Sequence, residues 1–243
     1  MSQPRILFVD IETRPALAYV WRLYDENVGL EQLLEPSSIL SVGWKWKGTK
    51  AFHYADVWPV RSKTGRARML RAIYDEMGRA DAVVTFNGGR FDLPKLTGEF
   101  LVAGFKPLAQ VTSIDTIRTT KKMGFTSNKL AHVLPLLGLG NKLDTGGFRL
   151  WREYMEGKQA ARLSMKLYNE GDVRGLERLY DRILPYITDH PYLGDYAGTC
   201  PNCGSARVQH RGYRRTRSFK IERIQCNACG TWTSGKRTIR KAT

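Results

Sequence analysis

The alternation of apolar and polar residues predicts a sheet in the first half of the chain. Residues 6–13 begin with four apolar residues and are predicted to form a central strand buried on both faces. Two alternating segments, 39–46 and 50–58, flank a Gly48–Thr49 turn and predict an antiparallel pair beside it. Further along, the pattern predicts a helix over 64–79, a strand over 81–87, a helix over 91–105 and a strand over 111–117.

The second half of the chain is predicted to be helical. Residues 119–188 show helical spacing, and Leu163, Leu167, Leu176 and Leu179 recur near a 3.6-residue period in the last segment. Pro135 is expected to kink or shorten its helix. This order of elements predicts an α/β fold with a mixed five-stranded sheet flanked by helices.

Three regions are distinguished along the chain. Residues 1–188 are expected to form the α/β domain, 189–199 a linker that contains Pro and Gly, and 200–243 a small C-terminal module. Residues 14–36 are expected to be irregular. The tail over 234–243 is expected to stay flexible until it meets phosphate.

The net charge of +16 changes this picture from an ordinary globular protein to one with a polyanionic partner. Nucleic acid is the first expectation and an anionic membrane surface the second. No stretch approaches the roughly 18 apolar residues that cross a bilayer, so no membrane-spanning segment is predicted, and nucleic acid rather than a membrane is the expected partner. The apolar run at the N-terminus is too short for a signal peptide, which predicts a cytoplasmic location. The compact domain with its small C-terminal module suggests a bacterial or phage-infected host.

The basic charge is concentrated at the C-terminus. From Cys200 onward there are eleven Lys and Arg residues against one acid, Glu222. Arg214, Arg215 and Arg217 are interleaved with aromatic residues, a pattern that suits phosphate contacts and base stacking. The alternative is a solvated basic hairpin that only keeps the module soluble.

Four cysteines, all in the last 44 residues, form two C-x-x-C pairs. In an intracellular protein this spacing favours zinc over free or disulfide-bonded thiols. Four thiolates complete a tetrahedral structural site with no open position. We therefore predict one structural Zn²⁺ held by Cys200, Cys203, Cys226 and Cys229, in a zinc ribbon.

Asp10 and Glu12 end the first predicted strand. Residues two apart on a strand point to the same side, so both carboxylates project from one face of a buried element. Two carboxylates side by side repel each other and lose hydration, and a divalent metal is the usual compensation. The alternative is that Glu12 marks the solvent end of the strand and Asp10 caps a turn.

Asp92 follows a strand that ends at Asn87 and a Gly88–Gly89 turn. The double glycine is predicted to let a backbone approach closely, such as that of a substrate strand. Asp92 also opens the next helix, where the dipole favours an acid. A capping role is therefore the alternative to a site role.

Tyr168 and Asp172 are four residues apart, so on a continuous helix they share a face. Either could be structural, Tyr168 as a core aromatic and Asp172 as an acid at a helix start.

Together these segments resemble the DEDD (DnaQ-like) 3′–5′ exonuclease superfamily, which has a ribonuclease H-like fold. The resemblance rests on Asp10 and Glu12 in D-x-E, Asp92 in N-x-x-x-F-D-x-P, and Asp172. The middle motif is most similar to the exonuclease domains of family B DNA polymerases, although Phe86 stands where that family usually has Tyr. Tyr168 lies four before the last Asp, which is the spacing of the tyrosine branch.

The resemblance implies a two-metal hydrolysis with Mg²⁺ or Mn²⁺. Asp10 would bridge both ions, Glu12 and Asp172 would complete the ligand shell of the first ion, and Asp92 would hold the second ion. Tyr168 would orient or deprotonate the attacking water, and the ordinary tyrosine pKa near 10 favours orientation. The resemblance also implies that Thr13, Asn87 and Phe91 contact the 3′-terminal nucleotide.

The predicted function is therefore a metal-dependent 3′–5′ exonuclease that acts on nucleic acid, DNA rather than RNA, with the ribbon aiding substrate binding. The alternatives are a structure-specific endonuclease on the same fold and a binding module without turnover. A partner such as a separate polymerase, or a replication or repair protein, is left open.

Overall fold

The computed structural model describes residues 4–109, 111–193 and 198–239. Its main sheet has five strands in the order β5–β4–β1–β6–β7. The strand bounds are β1 Ile6–Arg14, β4 Ser38–Trp46, β5 His53–Asp56, β6 Ala82–Thr85 and β7 Thr112–Asp115. β4 and β5 run antiparallel to their neighbours, whereas β6 and β7 run parallel to β1 and to each other. The predicted mixed sheet is therefore confirmed.

Helices cover both faces of this sheet. Among the described residues they are α1 Lys63–Arg79, α2 Asp92–Val102, α3 Thr116–Thr120, α4 Leu130–Leu136, α5 Arg149–Met155 and α6 Gln159–Ile183. Leu7, Val9 and Ile11 pack towards α1 and α2, whereas Ile6 and Phe8 pack towards α4 and α6. Strand alternation thus places the even-numbered residues of β1, including Asp10 and Glu12, on the α6 face.

The buried stripe of α6 differs from the prediction. Leu163 and Leu167 are more than half exposed, and the buried residues of this part of the helix are Ala161, Met165 and Tyr168. These three pack with Leu150 and Tyr154 of α5. The position of α5 therefore decides which of two plausible helical stripes is buried, and periodicity within α6 does not contain that information.

Residues 14–36 are more ordered than predicted. They contain two short antiparallel strands, β2 Leu17–Ala18 and β3 Leu33–Glu35, and a 3₁₀ turn over Leu30–Gln32. Arg14 anchors the base of this segment through an ion pair with Glu35 and a 2.8 Å hydrogen bond from its Nε to Ser38 Oγ.

The C-terminal module is a three-stranded antiparallel sheet, ordered β10–β9–β8, that packs against the end of α6. Its strands are β8 Val208–Arg215, β9 Phe219–Cys226 and β10 Trp232–Ile239. The buried Asn202 Nδ2 donates to the carbonyls of Leu184, at 3.0 Å, and Ile187, at 3.4 Å. These bonds fix the module on the α/β domain.

Two expectations concern segments near this module. The tail predicted to be flexible forms β10 up to Ile239, because it pairs with β9, and residues 240–243 lie outside the described residues. Residues 194–197 of the predicted linker also lie outside them. The division at residues 188 and 200 stays a prediction. Within the described ranges, no helix combines the length and hydropathy needed to cross a membrane.

Candidate functional site

Asp10 and Glu12 lie where β1 leaves its parallel neighbour. β1 pairs with β6 only through Ile6, Leu7 and Phe8, and its pairing with β4 shifts register just after Glu12. The carboxyl end of the strand is therefore open on one side, with both carboxylates facing α6.

Asn169 of α6 holds the first of these carboxylates. Its Nδ2 donates to Asp10 Oδ2 at 2.6 Å, and the side chain is fully buried. Gly43 of β4, which pairs with Asp10, makes room for this contact, because a Cβ built at Gly43 would lie 2.9 Å from Asn169 Oδ1. The glycine thus lets α6 approach β1 closely.

Asp172 lies one helical turn beyond Tyr168 on α6 and faces the same space. Three carboxylate oxygens, one each from Asp10, Glu12 and Asp172, lie within 4.8 Å of one another. Three hard oxygen donors this close fit the ligand preference of Mg²⁺ or Mn²⁺. The structure therefore brings together three of the four acids predicted for the metal site.

Burial, and after it the repulsion between neighbouring carboxylates, disfavours the charged forms of Asp10 and Glu12. Burial and then the neighbouring Glu12, Asp172 and Asp92 charges raise the pKa of Asp10 well above its ordinary value. Burial and the charge of Asp172 raise the pKa of Glu12 to about 8. A group of carboxylates in this state has a strong electrostatic preference for a bound cation.

Lys142 supplies the positive charge of the cluster in this structure. Its Nζ lies 2.7 Å from Asp172 Oδ2 and 4.6 Å from the centre of the Tyr168 ring. Burial lowers the pKa of Lys142, but the Asp172 carboxylate and the Tyr168 hydroxyl raise it more, so the pKa lies above its ordinary value. The lysine therefore carries its charge at neutral pH.

Tyr168 is buried with its hydroxyl at the cluster. Its ring meets Trp151 edge-on at 5.7 Å, and its hydroxyl oxygen accepts a hydrogen bond from the Lys142 ammonium. Burial and the charge of Asp172 raise the pKa of Tyr168 above its ordinary value. The phenol is therefore protonated near neutral pH and can orient a water molecule by hydrogen bonding.

Asp92 is adjacent to the three clustered acids, but one of its carboxylate oxygens already accepts a hydrogen bond from the backbone. Its Oδ1 accepts a 3.1 Å hydrogen bond from the backbone N–H of Ile11, on the stretch of β1 beyond its pairing with β6. Burial raises the pKa of Asp92 to about 6, although this hydrogen bond opposes the shift. Asp92 is not one of the carboxylates within 4.8 Å, so its role as ligand of a second ion stays a prediction.

The turn after β6 is stabilised from within the protein. Asp115 accepts hydrogen bonds from the backbone N–H of Asn87, at 2.7 Å, and of Gly89, at 3.1 Å, and Asn87 has a φ of 64°. A Cβ at Gly88 would lie 2.3 Å from Thr85. The double glycine therefore makes room for Thr85 and Asp115, and the predicted approach of a substrate backbone is not what requires Gly88.

An open cleft of about 620 Å³ leads to the acids. Its lining includes Asp10, Phe86, Asn87, Lys129, Lys142 and Asp172. Of the residues predicted to contact the 3′-terminal nucleotide, Asn87 lines this cleft, Phe91 is half-exposed at the start of α2, and Thr13 lies at the register shift in β1. Their contacts with nucleic acid stay predictions.

The four cysteines lie together at the base of the C-terminal module. The Sγ atoms of Cys200 and Cys229 are 3.6 Å apart, and those of Cys203 and Cys226 are 3.7 Å apart. A tetrahedral ion with metal–sulfur bonds of about 2.3 Å has sulfur–sulfur edges of about 3.8 Å. The four thiols are therefore spaced to hold one metal ion.

Arg214, Arg215 and Arg217 are exposed on β8 and the following turn. The aromatic residues of the module are not open for stacking on both faces, because Lys220 lies 3.9 Å from the Tyr213 ring centre and Arg237 lies 4.1 Å from that of Phe219. The surface is therefore suited first to phosphate contacts.

Sequence reasoning missed Lys142, Asn169 and Gly43. Lys142 is in a segment without regular structure. Asn169 directly follows the predicted Tyr168 but does not share the helix face that Tyr168 and Asp172 were predicted to share. A signal was present for Asn169, since a polar residue in the middle of an otherwise buried helix face requires a partner. No pattern in the sequence indicates Lys142.

Comparisons with known proteins agree with this architecture. The family model of the RNase H superfamily matches residues 25–184. A solved structure of the family B DNA polymerase from the hyperthermophilic archaeon Pyrobaculum calidifontis is similar in fold, with a TM-score of 0.56 and 16% sequence identity. The match covers 75% of this chain and 25% of the polymerase chain. No curated protein sequence matches the chain.

Because the family model covers more than half of the chain, the protein belongs to the RNase H superfamily. The predicted similarity to a family B polymerase is confirmed at the level of the fold. A nuclease fold with clustered carboxylates supports hydrolysis of a nucleic acid as the activity class.

Proposed function

We propose that this protein is a metal-dependent 3′–5′ exonuclease of the DEDD tyrosine branch, acting on DNA. The observation that carries the proposal is the convergence of Asp10 and Glu12 from β1 with Asp172 from α6, their carboxylate oxygens within 4.8 Å. Tyr168 and Asp92 adjoin this cluster, so the elements implied by the family resemblance meet in one place.

The donor set fits divalent ions, and the roles of the residues follow from their positions. Asp10, Glu12 and Asp172 would hold Mg²⁺ or Mn²⁺, and Asp92 would hold a second ion. Bound ions would supply an activated water and stabilise charge on the attacking and leaving oxygens of a phosphodiester. Asn169 orients Asp10 through its 2.6 Å hydrogen bond.

Tyr168 orients the water in this proposal and does not remove its proton, since the raised pKa keeps the phenol protonated at neutral pH. Lys142 holds Asp172 and the Tyr168 hydroxyl in fixed positions. Thr13, Asn87 and Phe91 would contact the 3′-terminal nucleotide at the cleft.

The C-terminal module is proposed to be a zinc ribbon that aids substrate binding through Arg214, Arg215 and Arg217. The ribbon docks beyond the end of α6, where Asn202 donates to the Leu184 carbonyl. Leu184 is twelve positions after Asp172, or about 18 Å at the helical rise. The ribbon is therefore expected to contact nucleic acid several nucleotides away from the reacting phosphate. Reduced thiols that bind zinc agree with a cytoplasmic location in a bacterium or an infected host.

Degradation of linear and circular single-stranded DNA tests this proposal. With Mg²⁺ or Mn²⁺, we expect 5′-labelled linear strands to shorten progressively from the 3′ end and closed circles to stay intact. Cleavage of circles would indicate an endonuclease, and intact linear strands under all metal conditions would indicate a binding module. The same assay on RNA measures the preference between the two nucleic acids.

A further inference from the structure

The segment between β1 and β4, residues 15–37, presents its large apolar side chains to solvent. We call it the aromatic loop. Tyr19, Trp21 and Tyr24 are 71%, 94% and 81% exposed, and Leu23 and Leu30 are similarly exposed. Monomeric proteins rarely leave apolar side chains grouped in this way without a binding role.

The polar groups of the aromatic loop form hydrogen bonds with one another and with the loop backbone, and this leaves its aromatic side chains exposed to solvent. Glu26 accepts hydrogen bonds from the backbone N–H of Trp21, at 3.1 Å, and of Arg22, at 2.7 Å. Gln32 Nε2 donates to the Tyr19 carbonyl and to Glu26, both at 3.0 Å. The loop conformation is thus fixed by its polar residues, and its rings are held outward before any partner binds.

The aromatic loop starts three residues after Glu12, so it leaves β1 at the same end of the sheet as the acidic cluster. No ring–ring or cation–ring contact in the described part of the chain involves Tyr19, Trp21 or Tyr24. This contrasts with Tyr213 and Phe219 of the ribbon, each of which has a cation over its ring. The rings of the loop are therefore available for stacking.

We propose that Tyr19, Trp21 and Tyr24 form a stacking platform for the unpaired bases of a single strand that enters the acidic site. This rests on the proposed nuclease function and names its substrate as single-stranded. Bases stack on exposed aromatic rings irrespective of sequence, which suits a strand that must move as it is shortened. Paired bases do not expose their faces, so a duplex gains nothing from the platform.

The charges of the aromatic loop and of the cleft indicate where the phosphates of a bound strand would lie. The aromatic loop holds one basic residue, Arg22, and four acids. Two of these acids already have partners within the protein: Glu26 accepts hydrogen bonds from the loop backbone, and Glu35 forms ion pairs with Arg14 and Arg61. The phosphates are therefore expected along the cleft that contains Lys129 and Lys142, with the loop contributing through its rings alone.

Binding of a fluorescein-labelled oligothymidylate of about 20 nucleotides tests the platform. The full-length chain carries Asp10→Asn in all samples, so hydrolysis does not affect the measurement. We expect Trp21→Ala and Tyr24→Ala each to raise Kd at least about fivefold, the lower end for one base–aromatic stack. Trp21→Phe should keep most of the affinity, because a ring remains.

The matched control is Leu23→Ala, which removes an equally exposed apolar side chain without a ring. We expect Leu23→Ala to leave Kd nearly unchanged and Trp21→Ala to leave binding of a blunt duplex nearly unchanged. The slope of log Kd against log salt should also be the same in Trp21→Ala, because the ring neutralises no phosphate.

Three results would overturn the platform: an unchanged Kd in Trp21→Ala, an equal loss in Leu23→Ala, or an equal loss on duplex. If strand binding is unchanged and Trp21→Ala instead abolishes self-association in sedimentation, the loop is a protein contact. Hydrolysis by the wild-type chain is measured separately, so failure of the nuclease proposal is distinguishable from failure of the platform.

Discussion

The Nζ of Lys142 lies 2.7 Å from Oδ2 of Asp172, at the point where the carboxylates of Asp10 and Glu12 converge with that of Asp172. This ammonium brings a positive charge directly to the cluster. It also contacts Tyr168, so one side chain connects the two functional residues of α6.

Replacing Lys142 by Ala is therefore expected to slow hydrolysis by about 100-fold, the scale of losing one fixed charge-stabilising donor. Substrate Kd should change much less. The measurement is kcat and Kd on the same single strand, with Lys122→Ala as an exposed-lysine control. Wild-type kcat in Lys142→Ala would show that the lysine has no part in the reaction.

Tyr168→Phe should also slow hydrolysis, because the hydroxyl that orients water is lost while the ring packing on Trp151 is kept. Since Lys142 acts partly through that hydroxyl, the double variant should be less impaired than the product of the two single effects. A double-mutant cycle on kcat measures this coupling. Strict additivity would mean that the two residues act independently.

Much of this site was predictable because its spacing is local. The i,i+2 relation of Asp10 and Glu12 on a strand, and the i,i+4 relation of Tyr168 and Asp172 on a helix, follow from backbone geometry alone. The mixed five-stranded sheet, with an antiparallel pair beside its first strand, followed from the alternating segments and the turn between them. These features need no knowledge of which elements pack together.

The remainder depends on tertiary packing. Asn169 reaches Asp10 only because Gly43 lets α6 approach β4, and Leu167 is exposed because α5 packs on another side of α6. Lys142 is placed by the path of an irregular segment. The structural requirement for Gly88 could not be predicted, because the side chain that it makes room for, Thr85, lies on the preceding strand and nothing in the motif shows the direction of that side chain.

The raised pKa of Glu12 predicts a pH dependence of stability in the metal-free protein. Between the ordinary value of about 4.5 and the folded value of about 8, the folded state holds a proton that the unfolded chain has lost. Stability contributed by this group is therefore present below pH 4.5 and is lost as the pH rises to 8.

Comparing wild type with Glu12→Gln isolates this effect. We expect the melting temperature of the Gln variant, relative to wild type, to rise between pH 5 and pH 8 without divalent ions. Added Mg²⁺ should reverse the difference at pH 8, because the ion stabilises only the charged cluster. A constant difference across this pH range would contradict the proposed crowding of carboxylates.

The position of the ribbon depends on Asn202. Replacing Asn202 by Ala removes the donor to the Ile187 carbonyl, which costs about 1–3 kcal/mol for a group left unsatisfied, whereas the Leu184 carbonyl keeps its hydrogen bond from Thr231 Oγ1. We expect faster proteolysis between the domain and the ribbon, with hydrolysis of short oligonucleotides unchanged. Longer strands, which extend from the acids to the ribbon docked beyond the end of α6, should be bound more weakly.

Metal analysis provides the companion measurement for the ribbon. We expect one zinc per chain, and its loss in Cys226→Ser, since four thiolates are needed to close the tetrahedral site. Retention of a full equivalent of zinc in this variant would contradict the four-cysteine assignment. Unchanged long-strand binding in Asn202→Ala would contradict the role of the docked ribbon.

The most direct test of the central claim is the rate of single-strand hydrolysis by Asp172→Asn at saturating Mg²⁺. The substitution keeps the shape of the side chain and removes one charge from the converging carboxylates. The account predicts a loss of at least about 1000-fold with substrate binding retained, and wild-type activity in the exposed control Asp75→Asn. Hydrolysis by Asp172→Asn at the wild-type rate would contradict the account.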